Sequence, residues 1–191
     1  MTENDIKIID ATLALAVEKG WSEVALRDIA ARAALPMSEL YERAPGKHAV
    51  LCLLARHVNQ TALNSVGTAP DDTESPRERL FEVLMARFDA LKPFKPGLKA
   101  IVKDGWRDPC AAGLLAMMVP PGMAWMLEAA GINTGGLTGP TKVLALSGLY
   151  ARALRVWMDD ETEDQAKTMA ELDRLLKQAE GWAISMGSKR R

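Results

Sequence analysis

The 191-residue chain reads as an all-α protein, on three observations. Its apolar residues are mostly Ala, Leu and Met with few β-branched runs, which favours helix over sheet. No stretch alternates apolar and polar residues over more than a few positions, so no half-buried strand is legible. Apolar residues recur instead at helical spacing, beginning with Ile6, Ile9, Leu13, Ala16 and Val17. A chain of this length buries one substantial core, or packs one small domain on a larger one.

The first helix is expected from about Asp5 to Lys19, ended by Gly20 in a left-handed conformation. Trp21 then packs back on the bundle. A second helix runs to about Ala33, turning Val24, Leu26, Ile29 and Ala30 inward, with Ser22 a better N-cap candidate than Ala25. A turn at Ala34-Leu35-Pro36 leads to a short helix over Met37–Glu42, and Pro36 suits its start. Pro45-Gly46 breaks the chain before a long fourth helix, about Lys47 to Leu63. Gly67 to Ser75 is a loop by composition. Pro76, capped by Ser75, opens a helix to about Leu91. Lys92-Pro93-Phe94-Lys95-Pro96-Gly97 is expected to be a break. Shorter helices follow over about Leu98–Asp104, Pro109–Val119 and Gly122–Ala130, with a break at Pro120-Pro121-Gly122. Gly131 to Gly139 is a further loop. Two long helices, about Pro140–Met158 and Glu163–Met186, finish the chain before the basic tail Lys189-Arg190-Arg191. About nine helices are expected in all, with residues 1–48 as a small helix-turn-helix unit and 49–191 as a larger helical domain.

Hydrophobic content of 48% and charged content of 26% are ordinary for a soluble globular protein. Cys52 and Cys110 match no metal-ligand spacing or disulfide framework and are expected to be buried thiols in a reducing cytosol. The polar, acidic start is not a signal peptide, and the apolar stretch around Leu114 to Met126 is too short and broken to span a bilayer. A cytoplasmic protein is expected. The net charge is −1. Residues 1–60 hold seven bases against eight acids, so they lack the surplus of Lys and Arg that drives non-specific attraction to phosphates.

Ile9-Asp10-Ala11, Gly20-Trp21, Leu26-Arg27-Asp28-Ile29-Ala30-Ala31-Arg32-Ala33, Leu40-Tyr41 and Lys47 through Leu51 carry a resemblance. Together they resemble the start of the TetR family of bacterial regulators, over about the first quarter of the chain. The resemblance implies a helix-turn-helix in the second and third helices. It also implies a fourth helix leading to a ligand domain, and a homodimer through the last two helices. Double-stranded DNA, a small hydrophobic ligand and a second copy are the partners it implies. Tyr41 and Lys47 then correspond to phosphate-contacting positions, and Arg27, Met37, Ser38 and Arg43 to positions at the groove or its rim. The chain departs from the pattern at Ala25, where a phosphate-binding hydroxyl is usual, and at Pro36, Ser38 and Glu39 at the start of the recognition helix. Ala44 stands where Phe is usual. Glu39 and Glu42 put two carboxylates on the short helix; a carboxylate accepts from cytosine N4 but is repelled by phosphate.

In the second half, Arg155-Val156-Trp157-Met158-Asp159-Asp160 and Met169-Ala170-Glu171-Leu172-Asp173-Arg174-Leu175-Leu176 resemble the ubiquinone-biosynthesis accessory protein. That family has a TetR-like fold and binds a lipid or isoprenoid and a partner enzyme rather than DNA.

Soft residues concentrate between Trp106 and Trp125. Trp106, Leu114, Met117, Met118, Met123, Trp125 and Met126, with Trp157 closing one side, are candidates to line a pocket for a hydrophobic ligand. Taken singly, the same residues read more readily as plain core. Leu144, Leu146, Leu149, Leu154 and Val156 on the penultimate helix, and Met169, Leu172, Leu175, Leu176 and Trp182 on the last, pack either on a two-fold mate or within the monomer. The acidic run Asp159 to Asp164 is expected to cap the last helix. No catalytic constellation is legible, His48 and His57 make no metal pair, and no cofactor is implied. The expected function is a DNA-binding transcriptional regulator, acting as a repressor and responsive to a small hydrophobic ligand. The alternative is a carrier on the same fold that binds a lipid or isoprenoid and a partner enzyme of ubiquinone biosynthesis.

Overall fold

The computed structural model describes residues 1–66, 74–105 and 108–188. Among these the chain is helical throughout: α1 (Glu3–Lys19), α2 (Leu26–Ala33), α3 (Met37–Arg43), α4 (Lys47–Ser65), α5 (Pro76–Leu91), α6 (Lys95–Lys103), α7 (Pro109–Ala129), α8 (Gly139–Asp159) and α9 (Ala166–Ser188). Short 3-10 turns lie at Trp21–Glu23 and Lys92–Phe94. The all-helical expectation and the element order therefore hold. No helix among the described residues is long and apolar enough to cross a membrane. The predicted loop after Gly67 and the basic tail fall largely outside the described residues.

The helix ends follow local chemistry, with three corrections. First, α1 starts earlier than the periodicity suggests. Thr2 Oγ1 accepts from the Asp5 N–H while Asp5 accepts from the Thr2 N–H at 2.8 Å, a reciprocal pair that satisfies two otherwise orphaned donors. Val17, expected inside, is exposed, and Ile8 and Leu15 are buried in its stead. Second, Ser22 does not cap α2. It lies in a 3-10 turn, and its N–H and hydroxyl donate to Asp104 at 3.3 and 3.4 Å. Ala25 occupies the capping position with no side-chain bond of its own, while Asp28 three residues on accepts its N–H. Third, two prolyl segments read as breaks are helical. Pro96 falls in the first turn of α6, where a missing N–H costs nothing. In α7 the helix continues through Pro120 and Pro121, because burial of Gly122, Met123, Met126 and Leu127 overrides the local preference.

Compact packing divides the chain into two units. Residues 1–60 with 90–119 form one; residues 61–89 with 120–191 form the other.

In the first unit, α1 packs on α2 and on α6. Contact with α6 is very close at Gly97: a Cβ there would lie 2.6 Å from Leu13 Cβ. Gly20 takes φ +87, and a Cβ there would meet Asp104 Oδ2 at 2.9 Å, so glycine is needed on two counts. Ala34, between α2 and α3, sits in the left-handed region at φ 54 without being glycine. Ile8, Ile9, Trp21, Ile29, Leu40, Leu51 and Ile101 are among the core side chains.

Asp108 gathers this unit. Its Oδ1 accepts the Ala111 N–H at 3.0 Å and so caps α7. Its Oδ2 accepts from the Trp21 indole N–H at 2.8 Å and lies 2.9 Å from His48 Nε2. Burial works against the charge, but these bonds outweigh it and hold the carboxyl down to about 2. Cys110, expected to be buried, is exposed two residues further on, and Cys52 is half-buried.

In the second unit, Phe88 stacks on Tyr150 and Trp157 with ring centroids 5.2 and 6.0 Å away. The Arg87 guanidinium lies 4.4 Å over the Tyr150 ring and donates to its hydroxyl. The acidic run does what was expected of it. Asp160 is buried and accepts from the N–H and hydroxyl of both Thr162 and Thr168, and these bonds prevail over burial to hold its carboxyl below the ordinary range. Asp164 accepts the Ala166 N–H at the start of α9. Gln165 precedes that helix at φ 55, accepting from the Trp157 indole at 2.8 Å and donating to Asp89. Most of the leucines named for a two-fold interface are spent here: Leu146, Leu172, Leu175 and Leu176 are buried within the monomer, whereas Leu144 and Met169 are exposed. The side chain of Trp182 lies outside the described residues.

Two outcomes follow from this packing. Gly97→Ala should lower stability by about 1–3 kcal/mol through overpacking, and Leu13→Ala in the same chain should recover part of the loss; thermal melts of the two variants decide. Asp108 has a folded-state carboxyl depressed from about 3.9 to about 2. Its contribution, on the order of 2 kcal/mol, is therefore complete above about pH 4 and lost as pH falls through 2. Denaturant unfolding of wild type and Asp108→Asn should differ at neutral pH and converge toward pH 2.

Candidate nucleic-acid interface

The residues proposed to meet DNA lie on α2, α3 and the first turn of α4, all within the first unit. Helix α3 has only seven residues, and its register sorts them cleanly. Leu40 is buried, whereas Met37, Ser38, Tyr41 and Glu42 are exposed on the other side, Tyr41 at 71%. Arg27 on α2 is also exposed, with only a loose 3.6 Å pairing to Asp28. Ala44, standing where a Phe was expected, is itself buried at 1%.

Arg43 and Lys47 are placed differently. Arg43 turns toward α1, where its guanidinium donates to Thr2 Oγ1 at 2.6 Å, Asp5 at 2.9 Å and Glu39 at 3.1 Å. Burial works against the Asp5 charge, but the Thr2 N–H and Arg43 hold its carboxyl below the ordinary range. Glu39 is also bound by the Asn4 amide at 2.6 Å. Lys47 points at the turn after α1: its Nζ donates to Trp21 O at 3.1 Å, sits 5.0 Å over the Trp21 ring and lies 4.0 Å from Asp108.

Internal pairing extends over most cations of residues 1–60. Lys7 pairs with Glu3 at 2.7 Å, Lys19 with Asp28, and Arg32 with Glu18 through a two-pronged contact. The charge balance read from the sequence is thus also a spatial balance. Thr2, Asn4, Asp5 and Asp108 are the residues that sequence reasoning missed here. Thr2 and Asp5 carry a signal that would have found them, since they stand at capping-box spacing; Asp108 is sixty residues from His48 and carries none.

The eight residues proposed for an apolar ligand do not converge as a set. The uninterrupted course of α7 turns Met117 and Trp125 outward on one side, at 74% and 64% exposure, and buries Met123 and Met126 on the other. Trp157 is fully buried in the second unit with Phe88. Leu114 and Met118 are half-buried, and Trp106 lies outside the described residues. Among the described residues, no group of three or more His, Cys, Asp or Glu side chains is placed to hold a metal ion.

Residues 8–52 match the sequence profile of bacterial regulatory proteins of the tetR family. No curated protein matches the chain. Among solved structures, it is similar to a TetR transcriptional regulator from Nitrosomonas europaea, at 24% identity and a TM-score of 0.73, over 93% of this chain and 98% of that one. It is also similar to a TetR transcriptional regulator from Rhodococcus sp. RHA1, at 20% identity and a TM-score of 0.58, over 91% of this chain and 95% of that one. Nothing in these matches supports the resemblance of the C-terminal half to the ubiquinone-biosynthesis accessory protein. Residues 8–52 accordingly carry the N-terminal sequence profile of the tetR-family regulatory proteins, on a chain with the fold of TetR transcriptional regulators.

Proposed function

We propose that the protein is a transcriptional regulator that binds duplex DNA through α2 and α3, with residues 1–48 as the reading unit and 49–191 serving ligand binding and dimerisation. One observation carries this reading: within a segment matching the tetR-family profile, the short third helix buries Leu40 and exposes Met37, Ser38, Tyr41 and Glu42. An exposed side on the second helix of such a motif is what a major groove receives. Tyr41 donates its hydroxyl to a phosphate, and Arg27 supplies the most accessible charge on α2. Arg43 and Lys47 act at one remove, holding α3 on α1 and the start of α4 on Trp21.

The remaining parts follow the same reading. A small hydrophobic ligand shifts the equilibrium between two spacings of the paired motifs and so releases DNA, acting as inducer of a repressor. Met123, Met126 and Trp157 are the buried residues of the candidate set that would adjoin it. The homodimer forms through exposed sides of α8 and α9, around Leu144, Gly148, Ala151 and Met169. Catalysis has no part in this function, and its place is the cytoplasm, where the DNA is.

A carrier of a lipid or isoprenoid, docking a partner enzyme and binding no DNA, is the second reading. The internal pairing of Lys7, Lys19, Arg32 and Arg43 favours it, because those charges are not free to replace counterions on DNA.

Fluorescence anisotropy with duplexes from the protein's own upstream region, across a salt series, separates the two. The regulator gives sequence-dependent binding that strengthens as salt falls. Arg27→Ala should weaken binding to all duplexes and reduce the salt slope by about 1, and Tyr41→Phe should weaken it less. Absence of binding at low salt, with lipid in mass spectra of the purified protein, establishes the carrier. For the assembly, sedimentation at micromolar concentration should show a dimer that Leu144→Glu converts to monomer without loss of helix content; a wild-type monomer ends the dimer proposal.

A further inference from the structure

The exposed side of α3 has an unusual chemistry for a surface that reads bases. It holds a thioether (Met37), two hydroxyls (Ser38, Tyr41) and a carboxylate (Glu42), and no Arg, Lys, Asn or Gln. The helix's single cation, Arg43, is engaged by Thr2, Asp5 and Glu39. The commonest base contacts, Arg or Lys to guanine and Asn or Gln to adenine, are therefore not on offer from this helix. The two carboxylates also differ in kind. Glu39 accepts from Asn4 and Arg43 and belongs to the α1–α3 contact, whereas Glu42 stands on the exposed side one residue beyond Tyr41.

We infer that Glu42 is a specificity-determining residue that accepts a hydrogen bond from the N4 amino group of a cytosine in each half-site. The inference rests on the regulator reading above and names what that regulator reads. In the major groove cytosine is the base that presents only a donor at this edge, through its N4 amino group, and a carboxylate is an acceptor only. Adenine offers a donor beside an acceptor, N7, that repels the second carboxylate oxygen; guanine and thymine offer acceptors and repel it outright. The carboxylate is thus selective by repulsion as much as by attraction. Tyr41, beside it, places a phosphate-bonding hydroxyl next to the reading group. Met37, one turn earlier on the same side, brings an apolar surface suited to a thymine methyl.

Selection of duplexes from a randomised pool by the purified full-length protein tests this. Wild type should enrich sites with one position per half-site at which cytosine is preferred over adenine by about 5- to 150-fold. Glu42→Gln should move that position to adenine, because an amide pairs with adenine N6 and N7. Glu42→Ala should leave the position without preference, and Glu39→Gln should leave cytosine in place. Glu42 is on the surface, so thermal melts of its variants should match wild type and exclude misfolding. An enriched site in which no cytosine responds to either Glu42 substitution overturns the inference while leaving the regulator reading intact. Enrichment of no sequence by wild type overturns the regulator reading and this inference with it.

Discussion

A single half-buried carboxylate ties together parts of the first unit that are far apart in sequence. Asp108 caps α7, receives the indole of Trp21 from the turn after α1, and faces His48 in the opening turn of α4. Its low proton affinity is the thermodynamic trace of those bonds: each is made to the charged form, and each is lost with it. Lys47 completes the arrangement from above the Trp21 ring. The helix-turn-helix is thus braced from behind by a residue near the middle of the chain. Residues 1–60 alone would leave the Trp21 indole N–H and His48 without this shared acceptor.

The same economy governs charge. A motif of this kind is usually described by the cations it points at phosphate. Here most cations of residues 1–60 are paired with a carboxylate of the same unit, across helices for Arg32 and Arg43 and within a turn for Lys7. Such exposed pairs contribute little to stability individually. Their effect is on what remains outside: Arg27, Met37, Ser38, Tyr41 and Glu42 stay exposed on α2 and α3. On the proposed reading, recognition by these residues would depend on shape, hydroxyls and one acceptor rather than on a positive field.

Much of the fold was legible because helix starts and periodicities are local. Pro76 behind Ser75, with Glu78 accepting both the Ser75 N–H and hydroxyl, is written in four consecutive residues. The boundaries of α5 were accordingly read correctly. Errors arose where distant packing decides. Pro120-Pro121-Gly122 is a strong local stop that the buried side of α7 overrides, and the prolines at 93 and 96 start helical turns rather than end them. For the site, Tyr41, Met37 and Arg27 were singled out by the family resemblance, and their exposure agrees with it. The inward turn of Arg43 and Lys47 did not, because Asp5 and Asp108 lie 38 and 61 positions away and no periodicity links them. The outward placement of Met117 and Trp125 was hidden by the false break between them, which concealed that they lie two turns apart on one continuous helix.

The internal pairing of the cations also bears on how such a regulator would find its site. Proteins that locate an operator by sliding do so because a positive surface holds them to any stretch of DNA between dissociations. With these charges paired to its own carboxylates, such a motif would have little hold on random sequence. Its search would proceed mainly through repeated collisions from solution, with short visits to each segment. Occupancy of the correct site would then follow protein concentration closely, and the genome's bulk DNA would act as a weak reservoir rather than a deep one.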